Sequence, residues 1–482
     1  MEDEYGAMDA VDLYFVVPAL PLESGLQLRE VRVAYRTWGT LSPGADNCIF
    51  VPHALTGNAA VDSWWGALLG EGKAFDTSKY FIVGANMLGS CYGTTSPLDD
   101  MPEAEGAAPW VAPRVGTHRE DARLRYAADF PHVTIRDNVR LHHRLLTQHL
   151  GVHAMHAVVG GSAGGMQALE WAIMFPSFVR RAVVIACGAT QTPWQIAISE
   201  AQRQSIYRDP NWNHGFYSLN EPPEHGLAVA RQNAMVWYRS PEAYEEKFGR
   251  QEQVAIPGSP AAKALANAGG GGRGAPSSFA VEGYLEHQGA KFVDRFDANC
   301  YVALTRTLDS HDVSSGGGGP LGGEPRGSVA EVLQGIVQPV MVVGISSDVL
   351  YPLYMQHELA RHIPRATLRV VESSQGHDAF LLESGVMSEY ISEGLMSKDE
   401  AQEAAGEVSD GWTQAAPALS HIDVSNGEGV PSRAPVPSPK LTFTLLPTAE
   451  VLGRLTAEAI AKRKAANVEA NRTAGCLGAV AW

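Results

Sequence analysis

The stretch that decides the fold is AVVGGSAGGMQAL, residues 157–169. An apolar run ends in Gly160 and Gly161, Ser162 and Ala163 follow, and Gly164 and Gly165 come next, before a run with helical period. Glycines on both sides of one serine suit neither a strand interior nor a helix interior. They do suit a G-x-S-x-G corner between a strand and a helix. There, small neighbours let the chain turn sharply, and the hydroxyl projects at the carboxyl end of a sheet beside a helix N-terminus. An ordinary glycine-rich turn whose serine caps the helix would read the same locally, so the decision falls to what lies elsewhere in the chain.

Working outward, CIFVP (48–52), YFIVGAN (80–86), HAVVGG (156–161), RAVVIAC (181–187), PVMVVGIS (339–346) and LRVVES (368–373) read as buried strands. Between them, TIRDNVRLHHRLLTQHLG and GMQALEWAIMFP have helical period and stop at Gly or Pro. This alternation predicts an α/β fold, a mostly parallel sheet with helices on both faces. From about Pro193 to Gln338 the strand signal fades, and IAISEAQRQSIY, GLAVARQNAMVWY, PEAYEEKFG and NCYVALTRTLD predict an inserted helical lid. The expected organisation is a core from residues 1–190 and 338–386, with the lid at 191–337. A flexible surface insertion follows at 387–440, and a strand and helix at 441–482 return to the core. Two Gly-rich stretches within the lid, 266–278 and 314–327, read as mobile loops, because neither follows a strand nor ends in a phosphate-binding GK[ST].

The chain has 482 residues, 45% of them hydrophobic, enough for a large core. Its formal charge of −16 argues against a general nucleic-acid or anionic-membrane binder. Cys48, Cys91, Cys187, Cys300 and Cys476 are odd in number and lack CxxC spacing, which predicts neither a disulfide framework nor a zinc site. MEDEYGAMDA is acidic and has no apolar core like that of a signal peptide, and no apolar run approaches the ~20 residues of a membrane helix. The expectation is a soluble, cytoplasmic protein.

A serine hydroxyl needs a base to take its proton, and the base needs an orienting acid. With a nucleophile on this strand-to-helix turn, the chain order is Ser, then Asp or Glu, then His. Asp348 in PVMVVGISSDVLYP lies just past a strand, at the sheet edge expected for Ser162. Glu372, within the next strand, and Asp312, beside glycines in the lid, compete with it. His377 in LRVVESSQGHDAFLLE follows the next strand by a short loop, whereas His357 and His362 fall in the intervening helix. Oxyanion donors are expected from the N–H of Ala163 and from the loop in FVPHALTGNAA, with Leu55 the candidate.

PHALTGNA, FDTSKYFIVGANMLGS, VGGSAGGMQALEWA, AISEAQRQSIYRDPNW, RFDANCYVALTRTLD and GHDAFLLE together resemble homoserine O-acetyltransferases of the α/β-hydrolase superfamily. The resemblance runs from about Val31 to Leu382 and resumes in the last helix. It implies an acyltransferase of methionine biosynthesis, with acetyl-CoA as co-substrate, L-homoserine as acceptor, no metal or bound cofactor, and a homodimer formed through the lid helices. The family's triad falls on Ser162, Asp348 and His377. Its carboxylate-binding Arg and Tyr fall on Arg231 and Tyr238, and its ammonium-facing Asp on Asp378. Arg231 and Tyr238 are seven apart and so share a helix face; without the resemblance they read as a solvated Arg and a packed Tyr. The family carries Met after the nucleophile where this chain has Ala163, a change that bears on acetyl against succinyl as donor. Serine as acceptor, succinyl as donor, a plain esterase and a non-catalytic binding protein are the competing readings.

Overall fold

A computed structural model describes residues 13–101, 125–253, 278–316 and 325–396. Eight strands form one sheet: β1 (Leu13–Pro21), β2 (Gln27–Trp38), β3 (Cys48–Phe50), β4 (Phe81–Ala85), β5 (Met155–Gly161), β6 (Ala182–Ile185), β7 (Val340–Ile345) and β8 (Ala366–Val371). Their order is β1-β2-β4-β3-β5-β6-β7-β8. Both pairings of β2 are antiparallel and all the other pairings are parallel, so β2 alone runs against the rest. The central strands are buried on both faces, which is why they read as unbroken apolar runs rather than alternating ones.

Alternation along β5 assigns its residues to the two faces. Val158 packs in one core layer with Leu141 of α1 (Ile135–Arg144), with Met166 and Trp171 of α2 (Ala163–Met174), and with Leu359 of a later helix. Ala157 and Val159 face the other layer, among Trp65, Phe380, Met387 and Ile391. Between β6 and β7 the chain leaves the sheet to build the lid: α3 (Pro193–Tyr207), α4 (Glu224–Tyr238), α5 (Pro241–Phe248), α6 (Ala280–Val293) and α7 (Ala298–Asp309). The chain then returns through β7, α8 (Leu353–His362) and β8, and α9 (Ser384–Leu395) closes the second layer.

Three features depart from the sequence expectations. The β1–β2 ribbon extends the sheet at one edge. Along β2, buried Leu28, Val31, Val33, Ala34 and Tyr35 are broken up by exposed Arg29, Glu30 and Arg32, and Pro18 and Pro21 interrupt the pattern of β1. Helix α6 presents only Gln288, Gly289 and Phe292 as buried residues, too narrow a stripe to be read as amphipathic. Instead it crosses α4 closely at Gly289, where a Cβ would stand 3.0 Å from the carbonyl oxygen of Ala228. Finally, the segment expected to begin a surface insertion at 387 is helical through Leu395, with Met387, Ile391 and Leu395 buried at four-residue spacing. Residues 397–440, the 441–482 segment and most of the two Gly-rich stretches lie outside the described residues. Among the described residues no helix is long and apolar enough to cross a membrane, and Cys48, Cys91, Cys187 and Cys300 carry free thiols.

Candidate active site

Strand β5 ends at Gly161, and Ser162 turns the chain with φ 56° and ψ −122° before α2 begins at Ala163. Positive φ is costly for a residue with a side chain. It is held here because the Ser162 N–H donates to the carbonyl of Ile185 at 2.9 Å and its carbonyl accepts from Met166 N–H at 3.0 Å. The flanking glycines are required by close approach. A Cβ on Gly161 would stand 2.6 Å from the Phe380 ring, and one on Gly164 would run into the carbonyl oxygen of Pro52. Gly164→Ala is therefore expected to destabilise the fold by about 1–3 kcal/mol, measured as a lower thermal midpoint, because a backbone oxygen must move.

Asp348 lies three residues past β7 and His377 six past β8, both at the carboxyl edge where β5 delivers Ser162. The Nδ1 of His377 is 2.7 Å from Oδ2 of Asp348. The other oxygen, Oδ1, accepts the N–H groups of Leu350 and Tyr351, each at 2.8 Å. The carboxylate is thus fixed from both sides, and the imidazole's Nε2 remains for a second partner. The rings of Tyr351, Phe380 and Tyr238 surround His377 at centroid distances of 5.2, 5.5 and 6.1 Å. Phe380 is also the ring against which Gly161 packs, so it ties the elbow to the histidine. Of the competing acids, Glu372 lies exposed just beyond β8, and Asp312 spends Oδ1 on the N–H and hydroxyl of Ser314. His357 is exposed and His362 half-buried on α8.

Burial disfavours the charged form of His377, but the charge and hydrogen bond of Asp348, with a smaller contribution from Asp378, outweigh it and raise its pKa above 6.5. A general base must be neutral to act. If His377 is that base, acylation at limiting substrate is expected to fall as pH drops through a midpoint above 6.5. A pH–rate profile for enzyme acylation checks this.

The lid brings Tyr238 beside the same histidine and Arg231 beside Tyr238, and the core adds Asp378, the residue after His377. Arg231, 5% exposed, lies between two rings: its guanidinium carbon is 5.1 Å from the centroid of Phe292 and 5.7 Å from that of Tyr238. Asp378 follows His377 directly and is buried, which raises its carboxyl pKa; Arg239, His377 and Arg231 oppose the shift only in part. Such a carboxyl favours a cationic ligand group that would complete its neutralisation.

The loop carrying Leu55 packs on the start of α2, as the clash of Gly164 with Pro52 implies. What fixes it is His53, whose part the sequence did not reveal. Its Nδ1 meets the carbonyl of Ala54 at 2.7 Å, and its Nε2 accepts the N–H of Met87 at 3.0 Å. Burial lowers its pKa to about 4, so the ring stays neutral and keeps this tautomer. Tyr351 and Phe380 also escaped sequence reading. Tyr351 has a faint local signal, standing three residues after an acid in a strand-end loop, whereas Phe380 has none.

The sheet, the strained serine between β5 and α2, and the lid inserted after β6 define the α/β-hydrolase class, and residues 47–384 match the family model described as alpha/beta hydrolase fold. A homoserine O-acetyltransferase of Salinibacter ruber is 46% identical over 78% of this chain and 95% of its own. One of Chlorobium chlorochromatii is 43% identical over 77% and 92%. This chain belongs to the homoserine O-acetyltransferase family. Among solved structures, homoserine O-acetyltransferase from Bacillus anthracis superposes with a TM-score of 0.65 at 24% identity, covering 80% of this chain and 98% of that one. Esterase E22 superposes with a TM-score of 0.65 at 22% identity, covering 80% and 99%, so the fold is shared with hydrolases.

Proposed function

We propose that this chain transfers acetyl from acetyl-CoA to the hydroxyl of L-homoserine, a step of methionine biosynthesis, through an acetyl ester on Ser162. The observation that carries the mechanism is the Asp348–His377 pair at 2.7 Å, fixed from behind by two backbone N–H groups at the sheet edge that ends in Ser162. His377 Nε2 takes the Ser162 proton as Oγ bonds to the thioester carbon. The N–H groups of Ala163 and Leu55 take up the oxyanion charge. The C–S bond then breaks, and CoA leaves with that proton. Homoserine repeats the sequence: its hydroxyl proton passes to His377, its oxygen bonds to the acetyl carbon, and Ser162 recovers its proton as the ester breaks. Asp348 holds the imidazole in the required tautomer and stabilises its charged form. Acetyl-CoA enters as a co-substrate, and the steps call for no metal.

Water competes as acceptor. It exceeds a millimolar amino acid by roughly 10⁴-fold, so discrimination must supply about 5–6 kcal/mol. Arg231 and Tyr238 on the substrate carboxylate, with Asp378 on its ammonium, are the groups we assign to that task. Arg231→Ala is expected to slow discharge of acetyl-Ser162 onto homoserine by roughly 10²-fold or more, the size of losing a buried charge-assisted contact. Formation of acetyl-Ser162 should be nearly unaffected. Rapid-quench measurement of the two half-reactions checks this, and equal losses in both would sink the carboxylate role. Ala163, buried beside the nucleophile, leaves more room than the family's Met, so the same assay run with succinyl-CoA, and with serine as acceptor, sets the limits of specificity. The reading includes a homodimer formed through the lid helices, where Trp194, Val229 and Val236 are nearly half exposed.

A further inference from the structure

We infer that Arg295, a lid residue, is a positioning residue for the oxyanion loop: its guanidinium holds the carbonyl of Thr56 and so fixes the turn that presents the Leu55 N–H. The inference rests on the oxyanion role proposed above for Leu55.

Leu55 and Thr56 are the two central residues of a tight turn, closed where the Gly57 N–H donates to the Ala54 carbonyl at 2.9 Å. Such a turn pairs the carbonyl of its first residue and leaves that of its third to outside partners. The Ala54 carbonyl is also met by the His53 ring, so the start of the turn is held from the core. The third residue is held from the lid. Nη1 of Arg295 donates to the Thr56 carbonyl at 3.2 Å and to the Tyr92 hydroxyl at 2.6 Å. One guanidinium nitrogen carries two hydrogens, one for each acceptor. Both bonds are charge-assisted, hence stronger than the neutral bonds that close the turn itself.

Arg295 lies in the short joint between α6 and α7, and that joint is docked on the core loop after β4. The Cys91 thiol donates to the Arg295 carbonyl at 3.6 Å, and the Tyr92 ring meets buried Phe296 edge-on at 5.8 Å and 75°. The same core loop reaches the far end of the oxyanion segment through buried Asn86. Its Oδ1 accepts the Ala59 N–H at 2.7 Å, and its Nδ2 donates to the Tyr92 carbonyl. The turn is thus clamped on one side by His53 and on the other by Arg295. Phe292 connects this clamp to the acceptor site, since its ring centroid is 4.9 Å from the Arg295 guanidinium carbon and 5.1 Å from that of Arg231. The two arginines share a ring but have separate tasks. Arg231 is assigned to the acceptor alone, whereas Arg295 serves every step that passes through an oxyanion. A donor held in place before the reaction costs no reorganisation as the charge develops.

Acylation by acetyl-CoA, discharge onto homoserine and discharge onto water all pass through a tetrahedral oxyanion, but only the second uses the acceptor site. Arg295→Met keeps an apolar stem against Phe292 and removes the donors. All three rates are expected to fall by the same factor, roughly ten- to a hundredfold, the range of a charge-assisted hydrogen bond and short of the ~10²–10³ for deleting an oxyanion donor outright. The KM for homoserine should stay within about twofold of wild type. Arg295→Lys, which keeps a charged donor, should recover part of the loss in all three. A loss confined to homoserine discharge, or a raised homoserine KM, would place Arg295 in the acceptor site and overturn the inference. Unchanged rates would leave it a packing residue. Leu55→Pro tests the reading beneath, because proline has no N–H and is favoured at the second position of the common tight turns. If Leu55→Pro reacts as wild type, Leu55 is not the donor and this inference falls with it. If Leu55→Pro slows all three rates, adding Arg295→Met should cost little more, because both changes act on one N–H. If Leu55→Pro slows them and Arg295→Met does not, only the positioning role fails.

Discussion

Ser162→Ala is expected to lower turnover by roughly 10⁵-fold or more while leaving the fold intact. In the proposed mechanism the hydroxyl is the atom that bonds to the acetyl group, so its loss removes the covalent route rather than weakening it. Residual turnover would come from binding and the oxyanion donors alone. The backbone offers a companion result. Ser162 occupies φ 56° and ψ −122°, a region that costs a non-glycine residue about 1–3 kcal/mol. Ser162→Gly relieves that strain against a smaller entropic cost of about 0.5–1 kcal/mol. The glycine variant should thus be inactive and melt no lower than wild type, a trade of stability for a projected nucleophile. Thermal unfolding of the two variants beside wild type checks it. A glycine variant that melts well below wild type would mean that the corner is not strained.

Asp348→Asn is expected to lower turnover by roughly 10⁴-fold, the scale of losing the correct tautomer at such a site. The change is nearly isosteric. The oxygen of the introduced amide can still accept from Leu350 and Tyr351, so the loop after β7 should hold its shape. The other arm becomes an NH₂ that donates toward Nδ1 of His377 where a carboxylate accepted from it at 2.7 Å. The ring then places its proton on Nε2, the atom that in the proposed mechanism accepts from Ser162. The negative charge that holds the His377 pKa up is also gone, so burial is left to push it down. Two readouts follow: a large fall in acylation rate, and a histidine titration displaced to lower pH in the variant. A variant that loses less than about tenfold would show that Asp348 is not the orienting acid, since loss of a peripheral contact has effects of that smaller size.

The sequence carried those parts of the molecule that are punctuated locally. Each of Ser162, Asp348 and His377 stands where an apolar run breaks into a turn, and the run, the break and the following helix can be read within about a dozen residues. The five central strands, β3 to β7, were legible for the same reason: burial on both faces leaves an unbroken apolar signature. The β1–β2 ribbon and α6 were not, since one is a half-exposed edge with prolines in it and the other packs through a glycine rather than a broad apolar stripe. The supporting residues of the site were illegible on different grounds. His53 meets Met87, in the loop after β4, across 34 positions. No local pattern marks a histidine whose partner arrives from so far along the chain. Arg231 and Tyr238 fall between these cases. Their spacing gave a shared helix face, but only the resemblance to a family gave that face a purpose.

Sharing a fold with esterases makes the acceptor, not the sheet, the point on which the function turns. Intact-protein mass spectrometry of the enzyme mixed with acetyl-CoA, followed by homoserine, serine or buffer alone, tests both halves at once. The expected result is one acetyl group added to wild type, mapped to Ser162 and absent from Ser162→Ala, then discharged far faster by homoserine than by serine or water. No adduct with acetyl-CoA, an adduct elsewhere in the chain, or discharge at the same rate with and without homoserine would contradict the acyl-serine transfer mechanism.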